Sequence, residues 1–239
     1  MRIKRIICIT LLLLAFGKVA YAQIPLDVRI NGSFLQSHNS FIEDGVSYVP
    51  FRSSAEALGF DVSWDGKSPI AGGIEFSDCV FLSGTAYIPA RRLSGALGAS
   101  VLWDELYSTV DIFNREHEPD DSLMWLSRII HAESEGEVFE GMVAVGNVVM
   151  NRVASEQYPS TVYEVIFDKK HGVQFTPTIN GKIYNTPSKS ATAAAKLAMR
   201  GHSVVGDSLF FLNEKISTNK WIVNNRQYFA TIGNHNFYL

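Results

Sequence analysis

Ten positions between residues 45 and 65 return 39 positions later in one unbroken register. Gly45, Tyr48, Pro50, Arg52, Ala57, Leu58, Gly59, Val62, Trp64 and Asp65 recur as Gly84, Tyr87, Pro89, Arg91, Ala96, Leu97, Gly98, Val101, Trp103 and Asp104. A duplication of this kind limits the N-terminal half to an architecture in which two like units pack together, because one unit alone buries little apolar surface. Each copy reads as a turn (Asp44 and Gly45, or Ser83 and Gly84), a short strand ending in proline, a helix closed by Gly59 or Gly98, and a strand through the tryptophan. Proline fixes φ and suits the strand-to-helix junction. Glycine suits the left-handed residue after a helix.

The chain before the repeat has a different character. Residues 1–22 open with Arg2, Lys4 and Arg5, continue through an apolar run at 6–16, and close on Ala20, Tyr21, Ala22. This is the pattern of a secretory signal peptide, and its apolar run is short of the ~20 residues that a spanning helix needs. Its removal takes four cations, leaving 17 basic groups against 24 acidic ones. That balance, with no basic stripe, argues against a nucleic-acid partner. Cys8 leaves with the leader, and Cys79, in an apolar stretch, is then a lone structural thiol with no disulfide framework.

Residues 114–121 combine charge and proline with no apolar side chain and read as a linker, in which His117 is solvated. Beyond it the period becomes helical. Asp121 or Ser122 is placed to cap, and Leu123, Leu126, Ile129, Ile130 and Glu133 fall within about 120° of one another on a helical projection. Glu133 therefore sits in the apolar stripe, where desolvation favours the protonated carboxyl. A glycosidase acid needs that property. The competing reading is a glutamate fraying from a helix end. Glu135 and Glu137 are expected exposed at the turn, with Glu140 leading into a central helix over 142–150 in which Gly146 permits close approach. Thr186 and Pro187 signal the start of a further helix that Gly201 stops, with a loop-rich stretch at 158–185 before it.

The repeat, over about residues 24–114, resembles the domain named after the N-terminal region of copper amine oxidases. Copper does not follow, because the stretch holds only His38. The second half resembles the spore cortex-lytic cell wall hydrolases through Ala132, Glu133, Gly136 and Glu137; Gly141, Ala144 and Val145; Asn151 and Arg152; Gln174 and Phe175; Asn213; Trp221; and Ile232, Gly233, Asn234, His235 and Phe237. The fold class expected is α+β: a small repeated α/β domain at 23–114, a linker at 115–121, and a mainly helical domain at 122–239, for which the resemblance implies a lysozyme-like fold.

The resemblance also implies lytic transglycosylase chemistry on cortex peptidoglycan, with Glu133 as acid and then base, and with no metal or cofactor. Ser134, Glu140, Gln174, Phe175, Asn213, Trp221, Asn234 and His235 are the expected substrate-binding residues. Amides suit hydroxyl and acetamido groups, and Phe175 and Trp221 offer flat faces. Each has a structural alternative: the amides cap turns, the aromatics fill the core (the preferred reading of Tyr184), and His235 either steadies loops or packs. Water chemistry remains open if Glu140, Asp168 or Asp207 approaches Glu133, which would make a muramidase. A non-catalytic wall-binding protein is the alternative from another class. The partners expected are peptidoglycan strands and an accessory regulatory protein, in a secreted, wall-associated setting.

Overall fold

The computed structural model describes residues 23–36, 39–114, 120–170, 172–217 and 220–239. The signal peptide, His38, and most of the linker with His117 lie outside them.

Three short strands lead in: β1 (Ile24–Pro25), β2 (Asp27–Ile30) and β3 (Ser33–Phe34). The first repeat supplies β4 (Phe41–Glu43), β5 (Val46–Pro50), α1 (Phe51–Ala57), β6 (Val62–Trp64) and β7 (Pro69–Ala71), and β8 (Ile74–Glu75) follows. The second supplies β9 (Val80–Leu82), β10 (Thr85–Pro89), α2 (Ala90–Leu97), β11 (Ser100–Asp104) and β12 (Thr109–Phe113). Both repeats open with a hairpin whose two turn residues have positive φ: Asp44 and Gly45 at +49° and +75°, Ser83 and Gly84 at +48° and +82°. This is the two-residue turn that matches strand twist, and it accounts for a glycine at the second position in each copy. The copies meet where β5 and β10 pair antiparallel, Val49 opposite Ile88, in a five-stranded sheet ordered β1-β4-β5-β10-β9. Pro50 and Pro89 sit just outside their helices in extended conformation. Each repeat closes with a hairpin through its tryptophan, β6–β7 in the first copy and β11–β12 in the second.

The second half contains α3 (Ser122–Ser134), α4 (Phe139–Ala154), α5 (Val162–Phe167), α6 (Pro177–Asn180), a 3-10 turn (Lys182–Tyr184), α7 (Lys189–Met199), β13 (Phe210–Leu212), α8 (Trp221–Asn225), β14 (Tyr228–Ile232) and β15 (His235–Tyr238). Helix α4 is central and packs on α3 and α7. A Cβ at Gly146 would lie 2.9 Å from Ile130 and 3.0 Å from Ala198, so this glycine sets how closely the three helices approach. Two helix starts differ from the sequence reading. Ser188 caps α7, accepting from the Ala191 amide, two residues after the expected Thr186. Asp120 accepts from the Ser122 amide, while Asp121 accepts from the Trp125 indole. The stretch read as loop contains α5 and α6. The C-terminal tail forms an antiparallel sheet ordered β13-β15-β14. The whole is therefore α+β, and its second half is less purely helical than expected.

The halves are not merely strung together. Phe34 and Tyr107 belong to the same apolar cluster as α3, α4 and α7. Buried Arg29 donates to both oxygens of Asp111 at 2.7 and 2.6 Å and to the Asp120 carbonyl at 3.2 Å. Asp27 accepts from Lys196 at 2.7 Å and from Arg200.

Candidate active site

Helix α3 buries Leu123, Leu126, Ile129 and Ile130. The same stripe carries Glu133 into its last turn, where the side chain is partly buried. Burial pushes its carboxyl up to about 7, against a smaller downward pull from the Lys182 ammonium on the neighbouring 3-10 turn. Among the described residues Glu133 has no hydrogen-bond partner. A carboxyl poised near neutrality, free of competing donors, can give up a proton and take one back.

Ser134 is placed otherwise than expected. It is buried, and its hydroxyl donates to the Ile130 carbonyl within the helix rather than standing on the surface. Phe175 is a second correction: it is 2% exposed and packs in the core beneath Arg152 and beside Phe211. Tyr184 goes the other way, being 61% exposed rather than core. The segment between α5 and α7 must bury one aromatic and present another, and local sequence carries no mark of which.

Of the other expected residues, Glu140 is exposed in the first turn of α4. Gln174 is half-buried, accepting from Arg152 at 3.4 Å and donating to the Gly172 carbonyl at 3.1 Å. Asn213 accepts from the Lys215 amide at 3.1 Å and so braces a turn. Trp221 is half exposed beside Phe210 and Arg226. Asn234 is exposed, His235 is buried, and both meet Glu137.

Glu137 is the residue the sequence reading placed wrongly. Its side chain is only 9% exposed. It accepts from the Asn234 backbone amide and side-chain amide, both at 2.9 Å. Burial alone would raise its carboxyl, but the two Asn234 donors, with His235 and Lys215, hold it below the usual carboxylate range. The His235 imidazole lies 3.9 Å away, and burial lowers its pKa despite Glu137, so it is neutral near pH 7 and packs against Phe211. Gly233, at φ +60°, leaves room for this contact, since a Cβ there would stand 2.0 Å from Glu137 Oε2. The β14–β15 turn is thus pinned to the segment that follows Glu133. A second pin lies at Glu214, which accepts from Asn236 at 2.5 Å and from the Tyr238 hydroxyl.

An aromatic patch also went unread. Trp125 of α3 has Tyr163 and Phe167 at 5.3 Å and Tyr184 at 6.2 Å, with Tyr163 about half exposed. Tyr184 shares its 3-10 turn with Lys182, the cation whose charge acts on Glu133. Its one sequence signal was a tryptophan off the main stripe of α3. Among the described residues no cluster of three or more His, Cys, Asp or Glu side chains is placed to hold a metal. Cys79, pushed up to about 11 by burial, is a poor nucleophile.

Residues 136–238 match the family model described as cell wall hydrolase. The second half of this chain is thus similar to cell wall hydrolases. Residues 29–71 match the copper amine oxidase N-terminal domain, a span that takes in the first repeat and stops before the second. The spore cortex-lytic enzyme of Bacillus cereus is 36% identical over 117 residues, which are 49% of this chain and 44% of that protein. The corresponding enzyme of Halalkalibacterium halodurans is 32% identical over 118 residues, 49% of this chain and 34% of that protein. This chain therefore spans less than half the length of these relatives. Among solved structures, the catalytic domain of the germination-specific lytic transglycosylase SleB from Bacillus anthracis shares 34% identity at a TM-score of 0.47, covering 51% of this chain and 97% of that one. The cell wall hydrolase match begins three positions after Glu133, so the case for this residue rests on its own geometry.

Proposed function

We propose that this chain cleaves the glycan strand of peptidoglycan as a lytic transglycosylase, with Glu133 as its acid and base. The observation that carries the reading is a partly buried carboxyl, raised to about 7, on the helix that leads directly into the cell wall hydrolase match at residue 136. Glu133 gives its proton to the oxygen joining N-acetylmuramic acid to N-acetylglucosamine as the bond to muramic C1 breaks. The carboxylate so formed takes the proton of the muramic 6-hydroxyl, whose oxygen closes onto C1 as a 1,6-anhydro ring. The nucleophile belongs to the substrate, so one protein carboxyl suffices where hydrolytic glycosidases use two. Lys182 opposes the charge left on Glu133 between the two transfers. Trp125, Tyr163 and Tyr184 offer faces for neighbouring sugar rings. The domain division at 23–114 and 122–239 and export behind a cleaved leader complete the proposal, with spore cortex as the substrate suggested by the relatives' names.

Glu133→Gln keeps the shape of the side chain and removes the proton. Release of soluble fragments from purified peptidoglycan is expected to fall by about 10²–10⁴-fold. Mass spectrometry of the wild-type products decides the reaction, because an anhydro end is lighter than a hydrolysed end by one water. Undiminished release by the variant overturns the assignment of the acid, and hydrolysed ends overturn transglycosylation.

A further inference from the structure

The internal duplication permits a comparison within one molecule: any position identical in both copies was kept for a reason the two copies share. Most of the ten identities are explained by the fold. The glycines close turns or helices, the prolines stand before the helices, and Leu58 and Leu97 are buried. Asp65 accepts from the amides of Lys67 and Ser68, and Asp104 from that of Tyr107, so each organises the turn after its strand. Tyr48 and Tyr87 both meet Phe41, and Val62 and Val101 pack against the same apolar core. Two identities with large, exposed side chains have no such explanation. Trp64 and Trp103 are 48% and 47% exposed. Arg52 and Arg91 are both exposed in the first turn of their helices. Arg52 has Glu56 at 3.4 Å, but the second copy has Gly95 at that place, so the shared arginine is not there for an ion pair within the helix.

In the first copy the two residues face one cleft of about 380 Å³, whose walls include Arg52 with its partner Glu56, Ser63, Trp64, Phe81 and Thr85. Phe81 is half exposed and meets Trp64 edge to face, with ring centroids 5.8 Å apart. Two exposed rings at right angles are costly to leave in water, and they suit a ligand with flat apolar faces and a polar rim. An unburied guanidinium on the wall suits a carboxylate, which it can hold with two hydrogen bonds. A sugar strand bearing carboxylates has both properties.

We propose that the Arg52–Trp64–Phe81 cleft binds an acidic N-acetylated glycan, the sugar-acid strand of peptidoglycan, with Arg91 and Trp103 of the second repeat as the exposed counterparts of Arg52 and Trp64. The choice of occupant rests on the function proposed above; the cleft and the duplication of its arginine and tryptophan do not. Holding the strand on the same chain raises its effective concentration at the hydrolase domain without any new contact there.

The test uses the full chain carrying Glu133→Gln, so that bound strands stay intact. Calorimetric titration with a tetrasaccharide of alternating N-acetylglucosamine and N-acetylmuramic acid, stem peptides attached, is compared with titration by neutral chitotetraose. Adding Trp64→Ala together with Trp103→Ala is expected to weaken binding of the acidic strand by about tenfold. Arg52→Ala with Arg91→Ala is expected to remove the preference for the acidic strand over the neutral one. Trp64→Phe keeps a ring and is expected to retain most of the affinity, which separates loss of stacking from loss of fold. The same affinity in all variants, or equal binding of neutral and acidic strands regardless of the arginines, overturns the proposal. Fragment release by the wild-type chain is measured separately. Release with binding untouched by these substitutions sinks the cleft alone, whereas binding that the substitutions abolish, without release, sinks only the catalytic reading.

Discussion

At the scale of single residues, Glu133 links stability to chemistry. Its native pKa of about 7 lies above the ordinary carboxyl value of 4.5, so between these values the native state holds a proton that the unfolded chain has released. Below pH 4.5 both states are neutral and the residue costs nothing. As pH rises through this interval the cost grows, and above about 7 it is complete, on the order of 3 kcal/mol. Glu133→Gln is thus expected to be more stable than wild type at pH 8 and nearly equal to it at pH 4, as read from thermal unfolding. A variant of equal stability at pH 8 would show that the carboxyl is not strained by burial. Lys182 acts in the opposite sense by pulling the carboxyl down. Lys182→Ala is expected to move the alkaline limb of the pH–activity profile to higher pH, because the acid then keeps its proton longer. A shift to lower pH would contradict the placement of that charge.

Among the elements, the β14–β15 hairpin best shows how the tertiary fold uses small features. Its turn is held by Glu137, which lies four residues after Glu133 and accepts from Asn234 twice. Gly233→Ala places a methyl where the carboxylate stands and also strains a residue at φ +60°. It is expected to destabilise by about 1–3 kcal/mol and to reduce cleavage more than Glu140→Ala, since Glu140 is exposed. Chemical denaturation beside an activity assay checks both parts. The hairpin was hidden in the sequence because the tail is short, aromatic and polar, with no clean alternation over more than a few residues. Glu137 was hidden for a related reason: a carboxylate in a charged turn reads as solvated until a segment about a hundred residues away covers it.

For the whole molecule, the contact between the halves is the decisive feature. A charged, proline-bearing connection suggested two bodies on a tether, yet Phe34 and Tyr107 enter the helical core. Asp27 pairs with Lys196 and Arg200 across the boundary. Burial works to raise Asp27, but the two cations outweigh it and hold the carboxyl below its ordinary value. Its contribution is therefore present above the unfolded pKa near 4 and is lost as pH falls through the lower native value. Asp27→Asn leaves two cations facing a neutral amide. The expected cost is about 2 kcal/mol, below that of a fully buried pair because Asp27 is 31% exposed. Calorimetry should show one cooperative transition for the wild type and a lowered, broadened one for the variant. Two well-separated wild-type transitions would contradict a shared core.

What the sequence determined by itself was whatever repeats at short range. The duplication announced two packed units, the helical period put Glu133 on a buried stripe, and Gly146 marked a close helix crossing. These readings succeed because a residue's direction within one element follows from backbone geometry alone. Only the tertiary structure decided that Phe175 lies inside and Tyr184 outside, that Ser134 spends its hydroxyl on its own helix, that Glu137 pins a distant turn, and that the halves share a core. Each depends on which remote segment covers a given side chain. Coverage is settled by the packing of the entire chain, and no local period records it.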